Sequence, residues 1–472
     1  IRTGARGVLT AARVERLLPT SGSTTAPKLV PVTRPLRSEF RAAIDPWIVD
    51  MHTQHRTLRG GSAYWSVSPA FETDVVSSVP VGFESDASYL GVLAPLAQRV
   101  FAAPAALRGV RPLGTFQYAT LLTLLRRADL RLISVWHPSF FTLLWASRTA
   151  VLSGGTTAWA QLVEDVRTGA CSAVFDEDVP NDVRRACTSE PDRARADRLR
   201  SLGVDARPAD VWPQLRVVSA WADGAAAGPA RALAALVAPA VLAPKGLVST
   251  EAFASIPFGG RHPLAVTSHF LELRDDEGRC RTVDAAQEGA KYELVVTTSG
   301  GLCRMRTGDR VRVDGFVGAT PSIRFVGRCD RVVDRVGEKL HESFVAQVLG
   351  TLCPDAAFSM LAPAATGPAS AAPRYVLYVD APVDPQVLDA RLRANPHYAY
   401  ARDLGQLGPP RIFRVAPEAH HAHLRRLHAE GRTLGDLKPT CLDERPDWSA
   451  HLPGAFQDPS HPPTEPPCAP AL

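Results

Sequence analysis

The sequence predicts an α/β protein: a large layered α/β unit that contains a β-rich portion, then a small α+β unit. Three observations carry this. Short buried apolar runs alternate with helix-spaced runs up to residue 248. Between 292 and 326 the character turns β-rich. After a charged break at Arg328-Cys-Asp330, strand and helix patterns alternate again on a smaller scale. At 472 residues the chain is too long for one simple core, which favours two or three domains.

The elements follow in order. Residues 9–32 have a helix-like start and then the polar loop Thr20-Ser-Gly-Ser-Thr-Thr-Ala-Pro-Lys28. Apolar residues recur at helical spacing over 34–49. Residues 132–136 read as a short strand stopped by Pro138, and 140–151 as a strongly apolar helix. A strand at 215–221, an Ala/Leu helix at 228–241 and a strand-like run at 241–248 complete the alternation. The β-rich portion comprises 292–298, 302–306, 311–313 and 322–326. The small unit reads as strand 331–336, helix 342–352, strand 375–379, helix 384–394 and strand 411–415. Its second helix has a clear start, because Asp384 can cap and Pro385 suits the first helical position. Residues 362–373 read as a loop, and the Pro-rich 451–472 as disordered. The domain reading is therefore 1–327, a hinge at 328–332, 333–450, and a tail at 451–472.

Composition narrows the function. The net charge of +5 is spread along the chain, whereas a nucleic-acid binder clusters its basic residues, so no nucleic-acid partner is expected. The apolar run 232–244 is too short and Pro-interrupted to span a bilayer. None of the eight cysteines forms a C-x-x-C pair or has zinc-like spacing to histidine, so they read as reduced thiols and favour a cytoplasmic protein. The chain starts at Ile1, which reads as a fragment or processed chain.

Five features could carry chemistry. In the run from Tyr292 to Asp309, Ser299-Gly300-Gly301 reads as a turn between two strands, and Thr307-Gly308-Asp309 as a corner presenting a carboxylate. A carboxylate held there can accept two hydrogen bonds from a ribose diol, although Gly-Asp is also an ordinary hairpin end. In the polar loop, Ser21, Gly22, Ser23 and Thr24 could turn backbone N–H groups toward an anion, with Lys28 adding charge. The Walker spacing is absent, and a plain Ser/Thr-rich surface loop is the alternative. Thr250 and Glu251, at the end of the 241–248 run, could touch a phosphate oxygen and hold Mg²⁺, or simply cap a helix. Arg328 at the charged break could sit on a hinge or in a surface ion pair, and Lys438 precedes a proline late in the chain.

Order and spacing join these features. The chain resembles the adenylate-forming superfamily, whose phosphate loop reads [ST]-[SG]-G-[ST]-[ST]-G-x-P-K. Within it, the chain is most similar to the auxin-responsive (Gretchen Hagen) family of acyl-acid amido synthetases. The matching stretches are Trp159 to Gly169, Tyr292 to Phe316, Ile323 to Arg328, and Leu392 to Tyr398 with Ala401-Arg402. The resemblance implies an adenylate-forming fold and an ATP-dependent acid–amino acid ligase working through an acyl-adenylate. Its substrates would be a small carboxylic acid and an amino acid, with ATP and Mg²⁺. By the same resemblance, Ser21, Gly22, Ser23, Thr24 and Lys28 handle the ATP phosphates, Thr250 contacts the α-phosphate and Glu251 ligates Mg²⁺. Asp309 binds the ribose with help from Arg328, and Lys438 reaches the reacting carboxylate. Three positions depart from the family pattern: Thr25 replaces a Gly, and Leu247 and Met305 replace aromatics. They favour a rival reading, a family member that keeps the fold as a binding or scaffold module.

Three further clusters have simpler readings. Ser153-Gly-Gly-Thr-Thr157 precedes a helix and reads as its cap. His420, His421, His423 and His428 read as a solvated basic helix, and Trp136, Phe140, Phe141 and Trp145 as core. The resemblance implies that this aromatic region lies near the acyl pocket, so that part of it lines substrate.

Overall fold

The first element is not the helix expected near residue 9 but strand β1 (Val14–Pro19), paired antiparallel with β2 (Leu29–Thr33). The computed structural model describes residues 7–19, 29–66, 77–81, 100–110, 113–152, 155–172, 181–328, 332–336, 338–365, 372–429 and 440–457. The polar loop 20–28 and Lys438 lie outside them, but Pro19 and Leu29, which flank the loop, are register partners. The two-stranded ribbon therefore sets Pro19 beside Leu29.

Thr33 caps helix α1 (Arg34–Gln54), its hydroxyl accepting from the Leu36 N–H at 3.2 Å. Next come β3 (Ser62–Trp65), α2 (Leu113–Leu125), β4 (Leu130–Ser134) and α3 (Pro138–Ala146). Helix α3 starts earlier than expected, because Pro138 suits a first turn and His137 accepts the Ser139 N–H. Thr157 caps α4 (Ala158–Thr168), as the Gly-Gly-Thr-Thr pattern implied. Helices α5 (Asn181–Cys187), α6 (Arg193–Leu202) and α7 (Pro208–Val211), strand β5 (Val217–Ala220), helix α8 (Ala227–Val237) and β6 (Val241–Pro244) complete the layer. Strands β3-β4-β5-β6 form one parallel sheet. Its helices bury a core that includes Phe116, Phe141, Trp145, Trp159 and Trp212.

The β-rich portion is a five-stranded antiparallel sheet in the order β11-β10-β9-β7-β8. Its strands are β7 (Phe270–Arg274), β8 (Cys280–Thr282), β9 (Lys291–Thr297), β10 (Met305–Val317) and β11 (Thr320–Arg328). The segments expected at 302–306 and 311–313 merge into one continuous strand that begins at Met305: Gly308, expected in a Thr-Gly-Asp corner, and Gly315 take φ +73° and +132° within it. Register shifts in the ladders mark bulges there.

Beyond 331, β12 (Val332–Val333) pairs with β13 (Leu340–His341), shorter than the strand expected at 331–336. Then come α9 (Glu342–Leu352), β14 (Ser359–Pro363), β15 (Tyr375–Val379), α10 (Pro385–Leu392), α11 (Pro396–Asp403), β16 (Arg411–Val415), α12 (Ala419–Ala429) and β17 (Gly454–Phe456). Strands β14-β15-β16-β17 form a mixed sheet. Two expectations fail here. Ala362 and Pro363 belong to β14 rather than a loop, and residues 454–456 pair with β16 instead of lying in a disordered tail. Leu143 of α3 packs in one cluster with Met360, Val376, Phe413 and Trp448, so α3 is docked on the small sheet.

Candidate active site

Asp309 does not end a hairpin; it sits inside β10, directly after the Gly308 bulge. Only Gly accommodates that positive φ readily, and the bulge re-aims the residue that follows. Asp309 is the register partner of Arg328 on β11. The Arg328 Nη1 donates to Asp309 Oδ1 at 3.1 Å, and Nη2 donates to the Thr307 carbonyl at 3.1 Å. Thr307 Oγ1 accepts the Asp309 N–H at 3.1 Å and donates to the Leu294 carbonyl at 3.1 Å. Asp309 is 4% exposed. The fold thus joins two residues that are 19 positions apart in sequence.

Strand β6 ends at Pro244, before the expected 248, and Thr250-Glu251 lie on a tight turn rather than at a strand end or helix cap. Val248 bridges Phe253, and the Ser249 N–H donates to the Ala252 carbonyl at 3.0 Å. That leaves Thr250 and Glu251 at the apex. Both are partly exposed, and the Glu251 carboxylate has no hydrogen bond or ion pair with any described residue. The turn is anchored by Leu247, whose N–H donates to Ser255 Oγ at 2.8 Å. Leu247 and Met305 pack against the same apolar cluster, which includes Leu271, Leu294, Val311 and Ile323. The turn and the Asp309 strand thus rest on one core.

Three polar features escaped the sequence reading. Lys245 is 7% exposed; its Nζ donates to Ser134 Oγ at 2.7 Å and lies 4.8 Å, 5.2 Å and 5.3 Å from the ring centres of Trp47, Trp65 and Trp136. The available signal was one lysine inside an apolar run. Glu39 of α1 accepts from His269 Nδ1 at 2.9 Å and from the Ser299 N–H at 3.1 Å, which ties the Ser299-Gly-Gly turn to α1. Burial raises the Glu39 pKa, but hydrogen bonds from His269 and Ser299 outweigh it and hold the carboxyl below its usual range. Third, α12 is not a solvated basic helix. His423 is buried, and His420 stacks near His137 at the start of α3, ring centres 6.3 Å apart. Burial, then the neighbouring His420 and His423, pushes His137 well below the ordinary imidazole range, and burial brings His420 to about 4. His428 lies in α12, and its side chain is outside the described part of the structure.

Among the described residues no group of three or more His, Cys, Asp or Glu is placed to hold a metal ion. None of the described helices is long and apolar enough to cross a membrane.

Comparison with known proteins agrees with this architecture. Three family models match: the GH3 family N-terminal domain over residues 1–237, its central domain over 265–328 and its C-terminal domain over 340–446. The human GH3 domain-containing protein is 29% identical over 264 residues, 49% of this chain and 50% of that protein. A rice (Oryza sativa subsp. japonica) probable indole-3-acetic acid-amido synthetase GH3.9 is 30% identical over 188 residues, 36% of this chain and 42% of that protein. The chain thus spans half or less of the length of these curated relatives. Among solved structures, AtGH3.15 acyl acid amido synthetase in complex with 2,4-DB superposes with a TM-score of 0.77 at 18% identity, covering 98% of this chain and 86% of that one. The mixed α/β fold expected for an adenylate-forming amido synthetase is therefore the fold found. By its family-model matches over residues 1–237, 265–328 and 340–446, the chain belongs to the GH3 family.

Proposed function

We propose that this chain is an ATP-dependent acid–amino acid ligase that forms an amide through an acyl-adenylate. The observation that carries the reading is the Asp309–Arg328 pair. It places a buried carboxylate on a bulged strand, with a guanidinium fixing its orientation. Such a carboxylate can accept both hydroxyls of a ribose.

The remaining roles follow from chemistry. Glu251, without a partner among the described residues and on a partly exposed turn, offers the hard oxygen ligand that Mg²⁺ prefers. When bound, Mg²⁺ would offset the charge on the ATP phosphates. Thr250 beside it would donate to the α-phosphate. Ser21, Gly22, Ser23, Thr24 and Lys28 would cradle the outer phosphates. Lys438 would stabilise charge where carboxylate meets phosphate. Holding acid, ATP and amine together replaces bimolecular encounters by oriented ones. The small domain, about 333–450, would swing on a hinge at 328–332, and the enzyme would work in the cytoplasm.

Pyrophosphate release tests this directly. With ATP, Mg²⁺ and a panel of carboxylic acids and amino acids, release is expected for at least one acid, and Asp309→Ala should abolish it. No nucleotide binding at millimolar ATP would refute the ligase and leave a binding module.

A further inference from the structure

Outside the candidate site, two buried cysteines face each other in the large α/β layer. Cys171 lies just past α4, at 3% exposure, and Cys187 is the last residue of α5, at 1%. Their segments run side by side: the Ser189 N–H donates to the Gly169 carbonyl at 3.0 Å, and a Cβ on Gly169 would strike the Ser189 carbonyl oxygen. Cys171 stands two residues after Gly169 and Cys187 two before Ser189. Chains leaving that contact in opposite directions therefore come abreast at the cysteines. The two thiols hydrogen-bond to one another.

Polar contacts fix both backbones. The Arg126 guanidinium, just past α2, donates to the carbonyls of Ala170 and Cys187, and to that of Asp165 at 3.0 Å. Arg184 Nη1 donates to the Cys171 carbonyl at 3.2 Å, and the Ser172 N–H to Asp165 Oδ2 at 2.8 Å. The sulfurs are thus held together by their surroundings. Arg126 Nε is buried with no hydrogen-bond partner among the described residues, and negative charge at either sulfur would stabilise the guanidinium.

We propose that Cys171 and Cys187 are a redox pair that closes to a disulfide by exchange with a small-molecule disulfide such as glutathione disulfide. One cysteine thiolate attacks a sulfur of that disulfide and expels the first glutathione thiolate. The second cysteine thiolate attacks the cysteine sulfur of the mixed disulfide and expels the other. Two cysteine thiols are oxidised, one small disulfide is reduced, and the two cysteine protons end on the glutathione thiols. In the closed fold the hydrogen bond to Cys171, then burial, keeps the proton on Cys187, so exchange waits for local opening. Helix α5 provides that opening, because it has only seven residues and ends at Cys187, and short helices fray readily. Closing the bond ties α5 to the segment after α4 and makes the pair follow the thiol–disulfide poise around the protein.

The test is incubation of the full chain at several ratios of glutathione disulfide to glutathione, then unfolding with an alkylating agent, tryptic digestion and mass spectrometry. Trypsin cuts after Arg184 and Arg185, between the two cysteines. The expected product is the pair of peptides joined at Cys171 and Cys187, lost again on reduction by dithiothreitol. Because the fold holds the sulfurs together, the equilibrium constant should be about tenfold or more above that of the chain unfolded in urea, where a loop of roughly 15 residues must first close. Exposed Cys303 should carry glutathione and so reports that the reagent is active. Recovery of Cys171 and Cys187 as alkylated thiols while Cys303 carries glutathione would overturn the pair. So would joining of either to a different cysteine, or a constant in the folded chain no higher than in the unfolded one.

Discussion

Replacing Asp309 by Asn keeps the shape of the side chain and removes its charge. The carboxylate is 4% exposed and already accepts from Arg328 at 3.1 Å. In the ligase reading it also accepts two ribose hydroxyls. Hydrogen bonds to a charged group contribute about 1.5–3 kcal/mol each, and an amide recovers part of that. The expected loss in ATP affinity is therefore roughly tenfold to a hundredfold. Stability should fall less than for a fully buried pair, about 1–2 kcal/mol, because the Arg328 side chain is 28% exposed and water screens it. Calorimetric titration with ATP and with 2′-deoxy-ATP gives the decisive comparison. Wild type should bind the deoxynucleotide about tenfold more weakly, and Asp309→Asn should scarcely distinguish the two. If the variant binds ATP within about twofold of wild type, or still discriminates fully, Asp309 is not the ribose ligand and its pairing with Arg328 is only structural.

Three other outcomes are expected. Leu247→Tyr restores an aromatic beside the Thr250–Glu251 turn, and stacking worth about 0.5–1.5 kcal/mol should tighten ATP about threefold to tenfold in the same titration. Asp165 is 1% exposed and accepts from Tyr118 Oη and the Ser172 N–H, both at 2.8 Å; Asp165→Ala strands these donors and should cost about 3 kcal/mol or more in urea unfolding. His137 and His420 are held neutral in the fold, so their stabilisation is present above the unfolded imidazole pKa near 6.5. It should drain away as pH falls, through about 4 for His420, at up to about 1.4 kcal/mol per pH unit for each group. Thermal melts between these limits should flatten in His420→Asn; an unchanged slope would show that these imidazoles do not set acid stability.

Local chemistry was enough to place several elements. Helix α9 and strands β15 and β16 lie where the pattern put them, and Asp384 caps α10, its side chain accepting the Gln386 N–H at 2.7 Å. Each depends on apolar periodicity or on a cap within a few residues. The pattern failed at β1, whose partner lies across the polar loop, and at β10, where the glycine of the expected Thr307-Gly308-Asp309 corner is a bulge inside one strand. It failed at α12 because four histidines look solvated until α3 and the small sheet are packed against the helix.

The candidate site divides in the same way. Residue types in order along the chain were enough to name Thr250, Glu251, Asp309 and Arg328 and to point to the GH3 family, since a fixed order of functional groups survives in one dimension. Tertiary structure alone decided that Asp309 faces Arg328 across β10 and β11, and that Thr250 and Glu251 crown a turn. It alone brought Lys245 among three tryptophans drawn from α1 and from the ends of β3 and β4. The reason is physical: hydrogen-bond register and side-chain burial are set between segments, so no single segment carries them.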